Sequence, residues 1–337
     1  MNHTVHTARL EWLELMRGLA AVWVVLHHGV QSISAFIGPM GGVHLLSNGY
    51  LGVNFFFILS GFIIAHSSRR LESRDGAREY LRARIVRIYV PYLPVGVAVY
   101  VAYALLPNLS ESERIPGLLT TLTLLPSGAP PALSVAWTLV HELIFYALFL
   151  LRFWSKPIFW LSMLAWMAAI LVGALTDAAF GLTVQYFLSP LNANFAVGLT
   201  VYLVVNRKRL RPSIVAGAAL SGVVLVGAQA LKAAPDLVSV TAGFGLLVIA
   251  GASAPTGIAP QWKWTLTMGS ASYALYLVHV PVHSLAVRAL HHIVPDVGVW
   301  TAFTLISSVA LCAGVVYWWV YERPALAMVR RVLRSKR

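Results

Sequence analysis

Arg17 and His28 stand in the first apolar stretch of the chain, 11 residues apart. At about 100° per residue a helix leaves them roughly 20° apart around its axis and about 16 Å apart along it. A charge in hydrocarbon costs several kcal/mol, so an ionisable pair on one face of an apolar helix is a candidate for chemistry. Histidine titrates near neutral pH and is the natural general base. His27 is displaced by roughly 80°, so His28 is the better partner for Arg17. Glu14 precedes Arg17 by three residues and is spaced to pair with it. The competing reading has Arg17 snorkelling to the interface and His28 capping the outer helix end.

Further along, seven arginines fall within residues 69–87, and Arg84 and Arg87 are at i, i+3 on a helix entering the membrane. Guanidinium forks match phosphate geometry, which points this pair to a phosphorylated ligand, against lipid headgroups for the outer arginines. Asn54 lies in a Phe-rich run and needs a polar partner, either the first helix or a substrate. Small residues at Ser60 and Gly61 allow close helix approach. Glu142 opens an apolar run with Tyr146 one turn on, placed to pair with Arg17 or to orient a histidine. His279 and His283 flank Pro281 at i, i+4, a spacing a metal can use, but no carboxylate or cysteine is near in sequence, so no metal is expected.

The elements that must carry these groups are set by composition. The chain has 337 residues, 58% hydrophobic and 11% charged, against roughly 25% charged in a soluble domain. That excludes a disordered chain and an ordinary soluble enzyme. One cysteine, Cys312, excludes an internal disulfide. Apolar runs long enough to cross a bilayer fall at about 10–30, 49–67, 88–106, 134–152, 157–175, 180–205, 213–231, 237–254, 268–288 and 298–321. The fold class is therefore all-α, a polytopic membrane protein of about ten helices. Pro190, Asn192 and Asn194 predict a broken helix within 180–205, and the loop 107–133 has room for a short re-entrant helix.

The net charge of +13 comes from bases clustered between the runs, so topology explains it better than nucleic acid. All of the 25 Lys and Arg except Arg114, Lys232 and Arg288 fall on one side of the ten-span arrangement. The positive-inside rule then puts both termini in the cytoplasm. The chain reads as one membrane domain over 1–337 with a short basic tail at about 323–337.

Six motifs, in order, resemble those of the acyltransferase 3 family of membrane O-acyltransferases. They are Arg17 with His28, Gly52 to Phe62, Arg84-Ile85-Val86-Arg87-Ile88-Tyr89, Trp137-Thr138-Leu139 with Glu142 and Phe145-Tyr146, Ser272 to His279, and Glu322-Arg323-Pro324. Asn54 departs from the family pattern, standing where aspartate is common, and Ser270 stands where an acidic or polar residue often does. The resemblance implies acyl transfer, usually acetyl, from acetyl-CoA or another acyl-CoA to a hydroxyl of a cell-surface glycan, lipid-linked sugar or similar acceptor. It implies a bacterial inner-membrane location and no nucleic-acid partner. The expected catalytic residues are His28, Arg17 and Glu142. Arg84, Arg87 and Arg82 are expected to hold the CoA phosphates, with the pantetheine arm near Ser60 and Gly61. Asn54, Trp137, Tyr146, Tyr273 and His279 are the expected substrate contacts. The alternative from a different class is a proton-coupled exporter of a glycan or small molecule, which also needs buried His, Arg and Glu.

Overall fold

A computed structural model describes residues 2–71, 73–105, 115–176, 180–207, 210–254 and 256–335. Arg114, Lys208, Arg209, Lys336, Arg337 and part of the 107–133 loop lie outside these residues, as do the side chains of Arg9, Arg74 and Arg334. The described residues contain α-helices and no strand. In chain order the helices are α1 (Asn2–Phe36), α2 (His44–Ser47), α3 (Gly52–Ser67), α4 (Ser73–Leu105), α5 (Leu118–Thr123), α6 (Trp137–Leu150), α7 (Lys156–Ala174), α8 (Leu182–Leu188), α9 (Ala193–Arg207), α10 (Pro212–Ala230), α11 (Leu237–Ser253), α12 (Thr265–Ser270), α13 (Ser272–Ile293), α14 (Val299–Tyr317) and α15 (Arg323–Ser335).

Among the described residues eight stretches are helical, long and apolar enough to cross a membrane, and the protein is an integral membrane protein. The remaining two expected spans are also helices, α11 with 17 residues and α13 with 22. The 180–205 run breaks as its proline and asparagines predict: a single 3₁₀ turn, Pro190–Asn192, separates α8 from α9. The 107–133 loop contains the short α5, tied to α4 by Tyr92, whose hydroxyl donates to the Thr121 carbonyl at 2.7 Å. Two elements differ from expectation. α4 begins at Ser73, not near residue 88, because arginine is a good helix former and the basic cluster continues the span without a break. The basic tail is the helix α15, whose Leu326, Val329 and Leu333 recur at helical spacing among the arginines.

The expected single domain divides into two compact units. The first comprises Met1–Ile63 and Val197–Trp319, the second Ile64–Ala196 and Val320–Arg337. The first unit's core is built where α1, α3, α9 and α11 bury Leu13, Phe55, Ile58, Phe62, Val201 and Phe244. A second cluster joins Val30 and Ile33 of α1 to Val287 of α13 and Phe303 and Ile306 of α14. The second unit's core is aromatic. Phe145 and Phe195 stack at 4.5 Å with planes 6° apart, and Tyr80, Phe149, Phe153 and Phe159 pack in tilted and edge-on pairs. Such pairs add about 0.5–1.5 kcal/mol each beyond area burial.

Candidate active site

In the first unit α1 packs along α12 and α13. Glycine makes this approach close: a Cβ on Gly18 would fall 2.8 Å from the Gly269 nitrogen, and one on Gly269 would meet the Glu14 carbonyl. Small residues are how membrane helices bring backbones together. Arg17 thereby reaches the last turn of α12, where carbonyls lack helical partners. Its Nε (3.0 Å) and Nη2 (2.5 Å) donate to the Gly269 carbonyl. The expected Glu14–Arg17 pair forms at 3.7 Å, and Ser270 Oγ donates to the same Glu14 oxygen at 2.6 Å.

About three turns further on, His28 meets His279 of α13, with Nδ1 and Nε2 3.2 Å apart and ring centroids 4.8 Å apart. Arg17 touches residue 269 and His28 touches residue 279, so α1 and α12–α13 run side by side in the same direction. Two distant motifs are thus one contact.

Hydrogen bonding assigns the proton positions. His279 Nδ1 is 3.0 Å from the Leu275 carbonyl, which can only accept, so Nδ1 carries the hydrogen and a neutral ring leaves a lone pair on Nε2. That lone pair faces His28 Nδ1, which also lies 3.0 Å from the Val24 carbonyl. Both neighbours of His28 Nδ1 accept, so it carries the hydrogen and His28 Nε2 is the basic nitrogen. His279, an expected substrate contact, orients the candidate base. His27 turns towards Tyr50, with centroids at 5.6 Å. Although four histidines gather here, no group of three or more His, Cys, Asp or Glu among the described residues is arranged to hold a metal.

The second unit gathers the charged motifs. Arg87 donates to Glu322 at 2.8 Å, and that carboxylate is 1% exposed. The Glu-Arg-Pro motif therefore anchors the arginine motif. Arg84 takes a different set of partners: its Nη2 donates to Ser67 Oγ at 2.8 Å, and its guanidinium lies 5.8 Å and 5.9 Å from the ring centres of Tyr80 and Tyr146. Tyr146 donates to Glu142 at 2.7 Å, and Tyr80 donates to the Tyr146 carbonyl at 3.3 Å. Arg84 and Arg87, expected to act as a pair, thus part to opposite tasks. A cavity of about 200 Å³ is lined by Arg82, Arg87 and Glu79 of α4 together with Arg330 of α15. Arg330 was read from sequence as topology alone; its spacing from Leu326 and Leu333 is the signal that it lies on a structured helix.

The other expected residues are dispersed. Asn54 is buried in α3. Gly61 is taken up by packing: a Cβ on Gly198 of α9 would sit 3.0 Å from Gly61 Cα and would collide with the Ile58 carbonyl, so the small residue serves helix contact where a pantetheine arm was expected. Ser60 lies beside it in α3, and Tyr273 opens α13. Trp137 packs edge-on against His141 at 5.5 Å. His141 was not singled out for a role; its Nδ1 meets Asn192 Oδ1 at 2.9 Å, and Asn192 Nδ2 donates to the Tyr186 carbonyl at 2.8 Å, which secures the broken helix. His291 and His292 lie exposed in the last turn of α13, not in a loop.

The model for the acyltransferase 3 family, described as an acyltransferase domain, matches residues 10–319. The chain belongs to this family. Exopolysaccharide production protein ExoZ of Rhizobium meliloti (strain 1021) is 30% identical over 309 residues, covering 84% of this chain and 91% of that protein. Acyltransferase MdmB of Streptomyces mycarofaciens is 26% identical over 372 residues, covering 96% of this chain and 93% of its own. Protein 2 in the picA locus of Rhizobium radiobacter is 31% identical over 160 residues, 41% of this chain and 78% of that one. No solved structure matches the chain. The protein is a membrane acyltransferase.

Proposed function

We propose that the protein transfers an acyl group, acetyl in the first instance, from cytoplasmic acyl-CoA to a hydroxyl of a cell-surface glycan or related sugar. The observation that carries this reading is the His28–His279 contact, which leaves a half-buried imidazole with its hydrogen on Nδ1 and its lone pair on Nε2. His28 Nε2 takes the acceptor's proton as the hydroxyl oxygen attacks the thioester carbonyl. The tetrahedral intermediate collapses, the C–S bond breaks, and the departing CoA thiolate receives the proton from His28. The products are an ester and CoA, with no net proton. Arg17, already fixed by Gly269 and Glu14, supplies positive charge on the same helix face. Glu142, through Tyr146, orders the ring against which Arg84 stacks.

The CoA phosphates belong in the cavity of Arg82, Arg87 and Arg330, with Arg84 beside it on α4. The clustering of bases supports cytoplasmic termini, and a bacterial inner membrane is the matching location. The name of ExoZ, a protein of exopolysaccharide production, supports a glycan as acceptor. No metal takes part in this reading.

The test uses purified protein in liposomes with labelled acetyl-CoA, comparing wild type with His28→Ala. CoA release and label transfer to an extract of cell-envelope glycans are followed. Release that requires both the extract and His28 supports the reading. Silence with every acyl-CoA offered overturns it and returns the exporter to first place.

A further inference from the structure

The first unit contains a second, unsatisfied polar group beside the candidate base. His283, one turn beyond His279 on α13, is fully buried (0% exposed), and neither ring nitrogen has a hydrogen-bond partner. Its ring centre is 6.2 Å from that of His279. Ser307 of α14 is 3% exposed and its Oγ is also without a partner. Ser307 lies against Gly29, the residue after His28: its Oγ is 2.7 Å from where a Cβ on Gly29 would be. His27 Nδ1 is unpartnered as well. Pro281 lies between the two histidines and has no N–H to offer the Leu277 carbonyl one turn before it.

A buried donor or acceptor left unsatisfied costs about 1–3 kcal/mol. Several such atoms around one histidine are hard to explain as packing. Elsewhere the same residue type is treated differently, since buried His141 is bonded to Asn192. The surrounding elements also limit what completes the set. Across residues 18–36 of α1, 272–293 of α13 and 299–317 of α14, Arg288 is the single Asp, Glu, Lys or Arg, and it donates to Ser284 and lies over the Phe36 ring. A neutral imidazole offers one donor and one acceptor, and a serine hydroxyl offers both. An anionic ligand would find one cation there, Arg288, already bonded to Ser284 and stacked on Phe36. A neutral alcohol matches the set.

We infer that His283 and Ser307 hold a hydroxyl of the acceptor next to the one that His28 deprotonates. This rests on the acyl-transfer reading above and adds two residues that position the acceptor. The reacting hydroxyl gives its proton to His28; the neighbouring hydroxyl only exchanges hydrogen bonds with His283 and Ser307.

The experiment compares wild type, His283→Leu, His283→Asn and Ser307→Ala in liposomes. Each is assayed for thermal unfolding, KM for acetyl-CoA, and apparent KM for the envelope-glycan extract in hexose equivalents. Leucine fills the site without polar atoms, so His283→Leu is expected to unfold at the wild-type temperature or above. Its KM for extract rises at least tenfold while its KM for acetyl-CoA is unchanged. Asparagine restores part of the loss, and Ser307→Ala raises the KM for extract about threefold. An unchanged KM for extract in His283→Leu overturns the inference, as does an unfolding temperature several degrees below wild type, which would mark the histidine as structural. If wild type transfers nothing to the extract, the acyl-transfer reading is what fails, and the unfolding comparison still decides whether His283 is a packing residue.

Discussion

In the second unit Arg87 closes on Glu322 at 2.8 Å and Tyr146 on Glu142 at 2.7 Å, while in the first unit His283 and Ser307 are buried without partners. The two regions hold polar groups in an apolar chain for different ends. The arginine region is charged and paired through Arg87–Glu322 and Tyr146–Glu142, with Arg84 Nε buried without a hydrogen-bond partner, and it opens on a lined cavity. Its geometry is fixed before any ligand arrives, as suits recognition of a phosphate by charge. The histidine region is neutral and buried, and only part of it is bonded. Its base is oriented by His279, but the atoms around it await a partner. One region is built to hold charge, the other to move a proton.

Mutations that separate these roles should differ in kind as well as size. The largest effect is expected from His28→Ala, a loss of about 10²–10⁴-fold in transfer with acetyl-CoA binding retained; equal loss of binding would remove the division of labour. Next comes Glu322→Ala. Removing one member of a buried pair costs about 3–5 kcal/mol, and Arg87 is a third exposed, so the lower end is expected, read as a fall in unfolding temperature. Substituting both partners, as Arg87→Met with Glu322→Leu, should recover much of that stability and none of the donor affinity. His279→Gln should slow transfer about tenfold, since orienting bonds are worth about 1–1.5 kcal/mol. Its KM for acetyl-CoA should not change, whereas its pH–rate profile should move, because the ring that fixes the His28 tautomer is gone. The smallest effect is expected from Arg330→Gln. An exposed charge such as Arg330 contributes up to about 1 kcal/mol, so KM for acetyl-CoA should rise about fivefold at low salt and less at high salt.

Much of this was legible in the residues. Apolar runs gave the helices, and Pro190 with its asparagines gave the break, because both signals are local. Helical period put Arg17 and His28 on one face, and the structure has both meeting the α12–α13 segment. What could not be read was the partner. His279 lies 251 residues from His28, and no local pattern says that α1 and α13 run together. The i, i+4 histidines around Pro281 drew attention for metal binding; their real difference, one bonded and one not, depends on neighbours from α1 and α14. Arg84 and Arg87 looked equivalent because sequence gives their angular offset but not that Tyr80 and Tyr146 wait on one side and Glu322 on the other. α15 was missed because its charge hides its apolar stripe.

The unbroken passage of α4 from Ser73 to Leu105 has one more consequence. Its 33 residues span about 50 Å at 1.5 Å per residue, against a hydrocarbon layer of about 30 Å. Counting about 20 residues back from Leu105 reaches Val86. Arg84 and Arg87 therefore ride on one continuous helix at the height where hydrocarbon gives way to headgroups, and lipid thickness sets how far they stand clear of it. In bilayers of longer-chain lipid the two guanidinium groups would be drawn towards the acyl region and would have to tilt or snorkel to stay wet. Donor affinity should then vary with the thickness of the membrane, which makes the lipid itself a determinant of how well the enzyme is supplied.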